Sequence, residues 1–238
     1  QIWGWKTTCL LLSLPGYFLA YAYLKSKRSK KNLKAEVEKK IKQGYIYLFF
    51  IGKGIRSLGH WAILSFLPLY ATDYIGLKPE ISAWIISVIF TGVFLGNVIS
   101  SRIIDKSHSL VLLLSTTIIT TFLILGITFI VQPISIVLLI GTLGILQGIY
   151  FPSQNTWLTF ICPVNHLGKI FGIGFFIEGL SATIAPTLYG WIADQSGLVW
   201  AYRLAAVPSF ISFILFSILY FLENKQDKAH KMKFNLID

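Results

Sequence analysis

Apolar residues fall into seven long runs, near 2–24, 45–72, 80–101, 109–131, 134–161, 169–193 and 200–222. Each reaches the roughly 20 residues that a helix needs to cross a bilayer core. The pattern predicts an all-α membrane protein with seven transmembrane helices. One sizeable polar insert interrupts it, residues 25–44, with nine cations against Glu36 and Glu38. Such a segment suits the bilayer surface beside anionic lipid. The second run is unusual, because Lys53, Arg56 and His60 sit inside it at spacings of three and four. On a helix these share one face, and a charge facing hydrocarbon costs at least ~2.5 kcal/mol. That face therefore looks into a bundle interior or a watery cavity.

Composition agrees with a membrane protein: 55% of residues are hydrophobic and 13% charged, against roughly 25% charged in soluble domains. The net charge of +11 gathers in 25–44 and the C-terminal tail. A folded basic surface is missing from that pattern, and no nucleic-acid partner is expected. Cys9 and Cys162 fall near opposite membrane faces, too far apart for a disulfide. The Lys/Arg asymmetry orients the chain. With 25–44 in the cytoplasm, sixteen cations lie inside, three lie outside (Lys6, Lys78, Arg203) and two are intramembrane. This places the protein in the cell membrane with its N-terminus outside and its C-terminus cytoplasmic. A cleaved signal peptide ending near Ala20-Tyr21-Ala22 would strand the basic segment outside, against that rule.

Lys53 and Arg56 lie roughly 12 and 17 Å past Tyr45 at 1.5 Å per residue. Glu178, nine residues past Lys169, is the acid well inside a span and reaches a matching depth. An ion pair of Glu178 with Arg56 or Lys53 is geometrically allowed, with Arg56 the preferred partner. An anion could displace the carboxylate, or a proton could neutralise it and release the pair; the alternative is a static pair that fixes packing. His60 reads as a neutral, hydrogen-bonded imidazole. Gln147, Tyr150, Phe151 and Gln154 fall at helical spacing with Asn155 adjacent, and they suit a cavity wall for an amphipathic solute, or else interhelical hydrogen bonding. Gly92/Gly96, Gly144/Gly148 and Gly168/Gly172 are pairs that let helix backbones approach. Metal spacings, a nucleophile elbow and a phosphate loop are all missing from the sequence, so neither an enzyme nor a metal or cofactor is expected.

The turn Ser101-Arg102-Ile103-Ile104-Asp105-Lys106-Ser107-His108 resembles the Gly-x-x-x-Asp-Arg/Lys-x-Gly pattern of the major facilitator superfamily, with Ser101 and His108 at the glycine positions. Pro186 and Gly190 resemble the Pro-x-x-x-Gly ending of that family's eleventh helix, and Gly4-Trp5-Lys6 the start of its sixth. The resemblance implies a 1 + 6 arrangement. Residues 1–24 would be the last helix of an N-terminal half, 25–44 the basic linker, 45–222 a six-helix C-terminal bundle of two inverted three-helix repeats, and 223–238 a cytoplasmic tail. It further implies alternating access, a partnering N-terminal half, and a gating turn at Arg102, Asp105 and Lys106. The expected activity is proton-coupled secondary transport of a small organic solute, with a lean toward organic anions. Two other classes compete. A seven-helix receptor would fit the topology, but its Asp-Arg-Tyr and Asn-Pro-x-x-Tyr patterns are missing and its first inner loop should be short. The other is a non-transporting half that pairs with a separate N-terminal half.

Overall fold

A computed structural model of the chain describes residues 43–234 except 106, 107 and 131, together with Phe18 and Tyr21; of 43, 80, 83 and 226–234 only the backbone is described. The chain separates into two units, Gln1–Glu38 and Lys39–Asp238. The predicted first span lies outside the described residues except for Phe18 and Tyr21, both helical and exposed. Residues 25–42 of the predicted linker 25–44 and Lys106 lie outside them too, while 43 and 44 open the first described helix.

Six helices follow: α1 (Gln43–Leu69), α2 (Pro79–Ile103), α3 (Ser109–Ile127), α4 (Pro133–Ile161), α5 (Val164–Ser196) and α6 (Leu198–Phe234). Their starts and stops have local causes. Pro79 and Pro133 open α2 and α4 in the first turn, where a missing N–H costs nothing. Gly197, at φ 89°, ends α5 in a conformation that glycine adopts without strain. Pro68 interrupts the ladder of α1, and the chain leaves as a π-helical turn, Tyr70–Tyr74, in which the Ile75 amide reaches back to the Tyr70 carbonyl. Among the described residues, five helices are apolar and long enough to cross a membrane, from α2 through α6. α1 is equally long but carries Lys53 and Arg56. Residues 223–234 of the predicted tail are helical. α6 runs on to Phe234, and at 37 residues spans about 55 Å, well beyond a ~30 Å hydrocarbon core.

The helices pack side by side as an open ring. α2 lies on α4, α4 on α3, α3 on α6, α6 on α1 and α1 on α5; α5 and α2 do not meet, so the ring is C-shaped. Small residues make the closest seams. A Cβ on Gly92, Gly96, Gly144 or Gly148 would collide with backbone of the facing helix, so α2 and α4 touch main chain to main chain. Gly59 meets Ala205 of α6 in the same way, and Ser212 donates to the Gly52 carbonyl at 2.7 Å. Gly168 and Gly172, the third predicted pair, face open space. No helix approaches them, because that face of α5 is turned away from its neighbours.

Two apolar clusters cap the ring. One, at the Tyr70 end, gathers Leu67, Tyr70, Ile127, Ile136, Tyr189 and Tyr202. The other, at the Tyr45 end, gathers Phe49, Leu113, Trp157, Cys162, Phe216 and Leu219. Tyr70 donates to the Ile127 carbonyl at 3.1 Å and Tyr202 to the Ile63 carbonyl at 3.1 Å, which staples α1, α3 and α6 together. At the opposite end Trp157 Nε1 donates to Glu223 at 3.1 Å. Between the caps lies a polar layer.

Candidate functional site

The layer is built on α1, whose Lys53 and Arg56 are 3% and 2% exposed. α1 and α4 make no close backbone approach; long side chains fill the space between them. Arg56 donates from one terminal nitrogen to Gln147 Oε1 at 2.9 Å, and its guanidinium lies 3.5 Å from the Tyr150 ring centre. That stacking is a cation–π contact in a dry setting, worth about 2 kcal/mol. The Arg56 Nε has no hydrogen-bond partner, nor has Gln154 Oε1, and the Tyr150 hydroxyl makes no well-formed bond although it sits in the field of Arg56.

Glu178 comes from α5, held against α1 by the Ser181 hydroxyl on the Gly54 carbonyl at 3.1 Å. Its carboxylate pairs with Lys53 at 3.5 Å, and the Lys53 ammonium also stands 5.9 Å from the Phe175 ring. The partner of Glu178 is thus Lys53, where the sequence had favoured Arg56. The reason is angular. Gly174, one turn before Glu178, is packed against Lys53 itself, whereas Arg56 turns toward α4. One acid therefore stands against two buried cations, and Arg56 has a neutral amide and an aromatic face for company.

Beyond Arg56 a hollow of about 200 Å³ opens between α1, α2, α3 and α4. His60 and Gln147 line it; Tyr150, Gln154 and Asn155 do not, although all three are buried or half-buried on the same helix as Gln147. Thr120 also lines it, and sequence reading missed this residue. α3 carries Thr116, Thr117, Thr120 and Thr121, all buried. Three of them bond to carbonyls a turn back, Thr116 to Leu112 at 2.7 Å, Thr117 to Leu113 at 2.7 Å and Thr121 to Thr117 at 3.0 Å. The Thr120 hydroxyl alone of the four has no partner. The signal was present as a hydroxyl pattern i, i+1, i+4, i+5 in an otherwise aliphatic helix.

Of the predicted gating turn, Arg102 is exposed in the last turn of α2. Asp105 accepts from the His108 backbone amide and faces its Nδ1, both at 2.8 Å, which closes the turn just before α3. Lys106 lies outside the described residues. Asn97 donates to the Val93 carbonyl of its own helix at 3.0 Å.

The Major Facilitator Superfamily profile matches residues 49–235, most of the chain. The chain belongs to this superfamily. It is 23% identical over 180 residues to a cis,cis-muconate transport protein of Acinetobacter baylyi, covering 75% of this chain and 43% of that one. It is 26% identical over 176 residues to the multidrug resistance protein MdtG of Proteus mirabilis, covering 71% and 43%. Among solved structures, the POT family transporter PepTSo superposes with a TM-score of 0.66 at 11% identity, over 74% of this chain and 37% of that one. A peptide transporter POT in complex with alafosfalin gives 0.62 at 14% identity, over 73% and 37%. The chain thus spans less than half the length of these relatives. It is a multi-pass membrane protein of a transport family, which removes the receptor reading.

Proposed function

We propose that the chain is the C-terminal half of a secondary transporter that moves a small organic anion by alternating access, coupled to protons at the Lys53–Glu178 pair. The observation that carries this is the charge count of the buried layer: two cations, one carboxylate, and the unmatched cation is the fully buried Arg56. A buried guanidinium without an anion is costly, by several kcal/mol. A solute carboxylate at Arg56 would supply the missing charge. A proton on Glu178 would free Lys53 and raise the layer's positive charge further, so proton and anion would favour each other's arrival. The muconate transporter, a relative named for an organic acid, supports an anionic solute; the MdtG name leaves a broader range open.

The packing supports two inverted three-helix repeats. Exchanging α1–α3 with α4–α6 maps the α2–α4 contact onto α5–α1 and the α6–α1 contact onto α3–α4, and leaves α3–α6 unchanged. In that arrangement the first helix of each repeat, α1 and α4, supplies the site, and Arg56, Gln147 and Tyr150 come from those two. The gap between α5 and α2 is where a first half would face the site. With the N-terminus outside and the tail inside, the Arg102–Asp105 turn would lie on the cytoplasmic side as part of the gate, next to anionic lipid. The test is uptake by the complete transporter, both halves present, under an imposed proton gradient. Glu178→Gln should retain solute binding and lose gradient-driven accumulation, and unchanged gradient dependence would remove the coupling step.

A further inference from the structure

We propose that the hollow between α1, α2, α3 and α4 seats the apolar body of the solute, so that the site selects a compact, flat-bodied carboxylate with its head at Arg56. This rests on the transport reading above and narrows it. The hollow and Arg56 are joined in two ways. Gln147 lines the hollow while its Oε1 holds the Arg56 guanidinium. His60, another lining residue, stands one turn from Arg56 on the same face of α1. A carboxylate at the Arg56 end would therefore have its body directed into the hollow.

The walls define that body. Trp61, Phe90 and Phe151 are aromatic, and Ile89, Ile124 and Leu143 are branched aliphatics. About 200 Å³ is below the ~300–1,000 Å³ usual for drug-sized ligands. One ring or a short unsaturated chain fits, and a multi-ring drug does not. Thr120 adds a single polar point, a buried hydroxyl unpartnered on its own helix. It can hydrogen-bond one polar substituent on the far edge of the body. A cation is disfavoured by Arg56 and Lys53 together.

A larger cavity takes no part in this. It is a groove of about 720 Å³ between α1 and α5, lined by Ile51, Ile55, Ile173 and Ile177 with His166 and Lys169 at one rim. It lies on the far side of α1 from Arg56, and no lining residue of this groove bonds to Arg56 as Gln147 of the hollow does.

The test is calorimetric titration of the full chain in lipid nanodiscs with four probes: benzoate, benzylamine, 2-naphthoate and 9-anthracenecarboxylate. The expected result is that benzoate binds, benzylamine does not, and affinity falls at least tenfold between one ring and three. Equal binding of benzoate and benzylamine, no binding of either, or affinity rising with ring number would overturn the proposal, and these arms need no variant. Arg56→Gln should weaken benzoate tenfold or more, with partial rescue in Arg56→Lys. Leu143→Phe and Val93→Phe fill the hollow from α4 and from α2 and should each weaken benzoate at least tenfold. Folded protein that binds benzoate with unchanged affinity in both would also overturn it. Failure here is separable from failure of the transport reading. Uptake of another solute that loses its gradient dependence in Glu178→Gln, without benzoate binding, would spare transport and sink the hollow. Benzoate binding alongside gradient-independent uptake would do the reverse.

Discussion

Lys53 and Glu178 form a buried ion pair, 3.5 Å apart and 4% and 14% exposed at their side chains. Such a pair contributes little net stability, because desolvation of both groups offsets their attraction. Breaking it on one side is different, since a lone buried charge costs about 3–5 kcal/mol. Lys53→Met should therefore lower the thermal midpoint in detergent clearly, and the double replacement Lys53→Met with Glu178→Leu should recover most of that loss. A double variant no more stable than the single one would mean that the pair holds the two helices together. Much of this pair was legible in the sequence, because depth along a helix is fixed by the rise per residue and the two groups matched within a turn. Its azimuth was not legible. Which of two cations meets the acid depends on how α5 lies against α1, and that is set by the contacts across the seam, Ser181 on the Gly54 carbonyl and Gly174 against Lys53. Thr120 escaped notice for a related reason: threonines in membrane helices usually bond their own backbone, and only the fold separates the one that does not.

Helices were the easiest elements to read, since the bilayer demands long apolar runs, and predicted and observed limits of α2 and α4 differ by two residues or fewer. Their seams were harder, because a glycine pair signals a close approach only if a partner arrives. The structure separates the cases. Gly148 of α4 sits with its Cα 2.9 Å from where a Cβ on Gly96 would lie, and a Cβ on Gly148 would run into the Val93 carbonyl of α2. A methyl there cannot be relieved by a rotamer change, since the obstacle is backbone. Gly148→Ala should thus push α2 off α4 and cost folded yield and several degrees of thermal midpoint. Gly172 faces open space, and alanine is the better helix former by about 1 kcal/mol. Gly172→Ala should leave the midpoint level or raise it. Equal losses in the two variants, measured by size-exclusion yield and thermal denaturation, would contradict the seam.

At the scale of the whole molecule the decisive feature is the unclosed side of the ring, where α5 and α2 do not meet. Glu178 stands on α5, half-buried, and Arg56 is enclosed; the six helices alone offer no second body to close against. Alternating access requires that the route open on one membrane face shut before the other opens, and two bodies must rock against each other to do so. The chain alone should therefore bind solute without accumulating it. Reconstituted into vesicles with an inward proton gradient, it should show no uptake above protein-free vesicles for labelled benzoate. Co-reconstitution with a six-helix first half of the same superfamily that pairs with it should bring gradient-driven uptake, which Glu178→Gln then removes. Accumulation by the chain alone would mean that copies of it close the gap for one another, and would overturn the assignment of that gap to a first half.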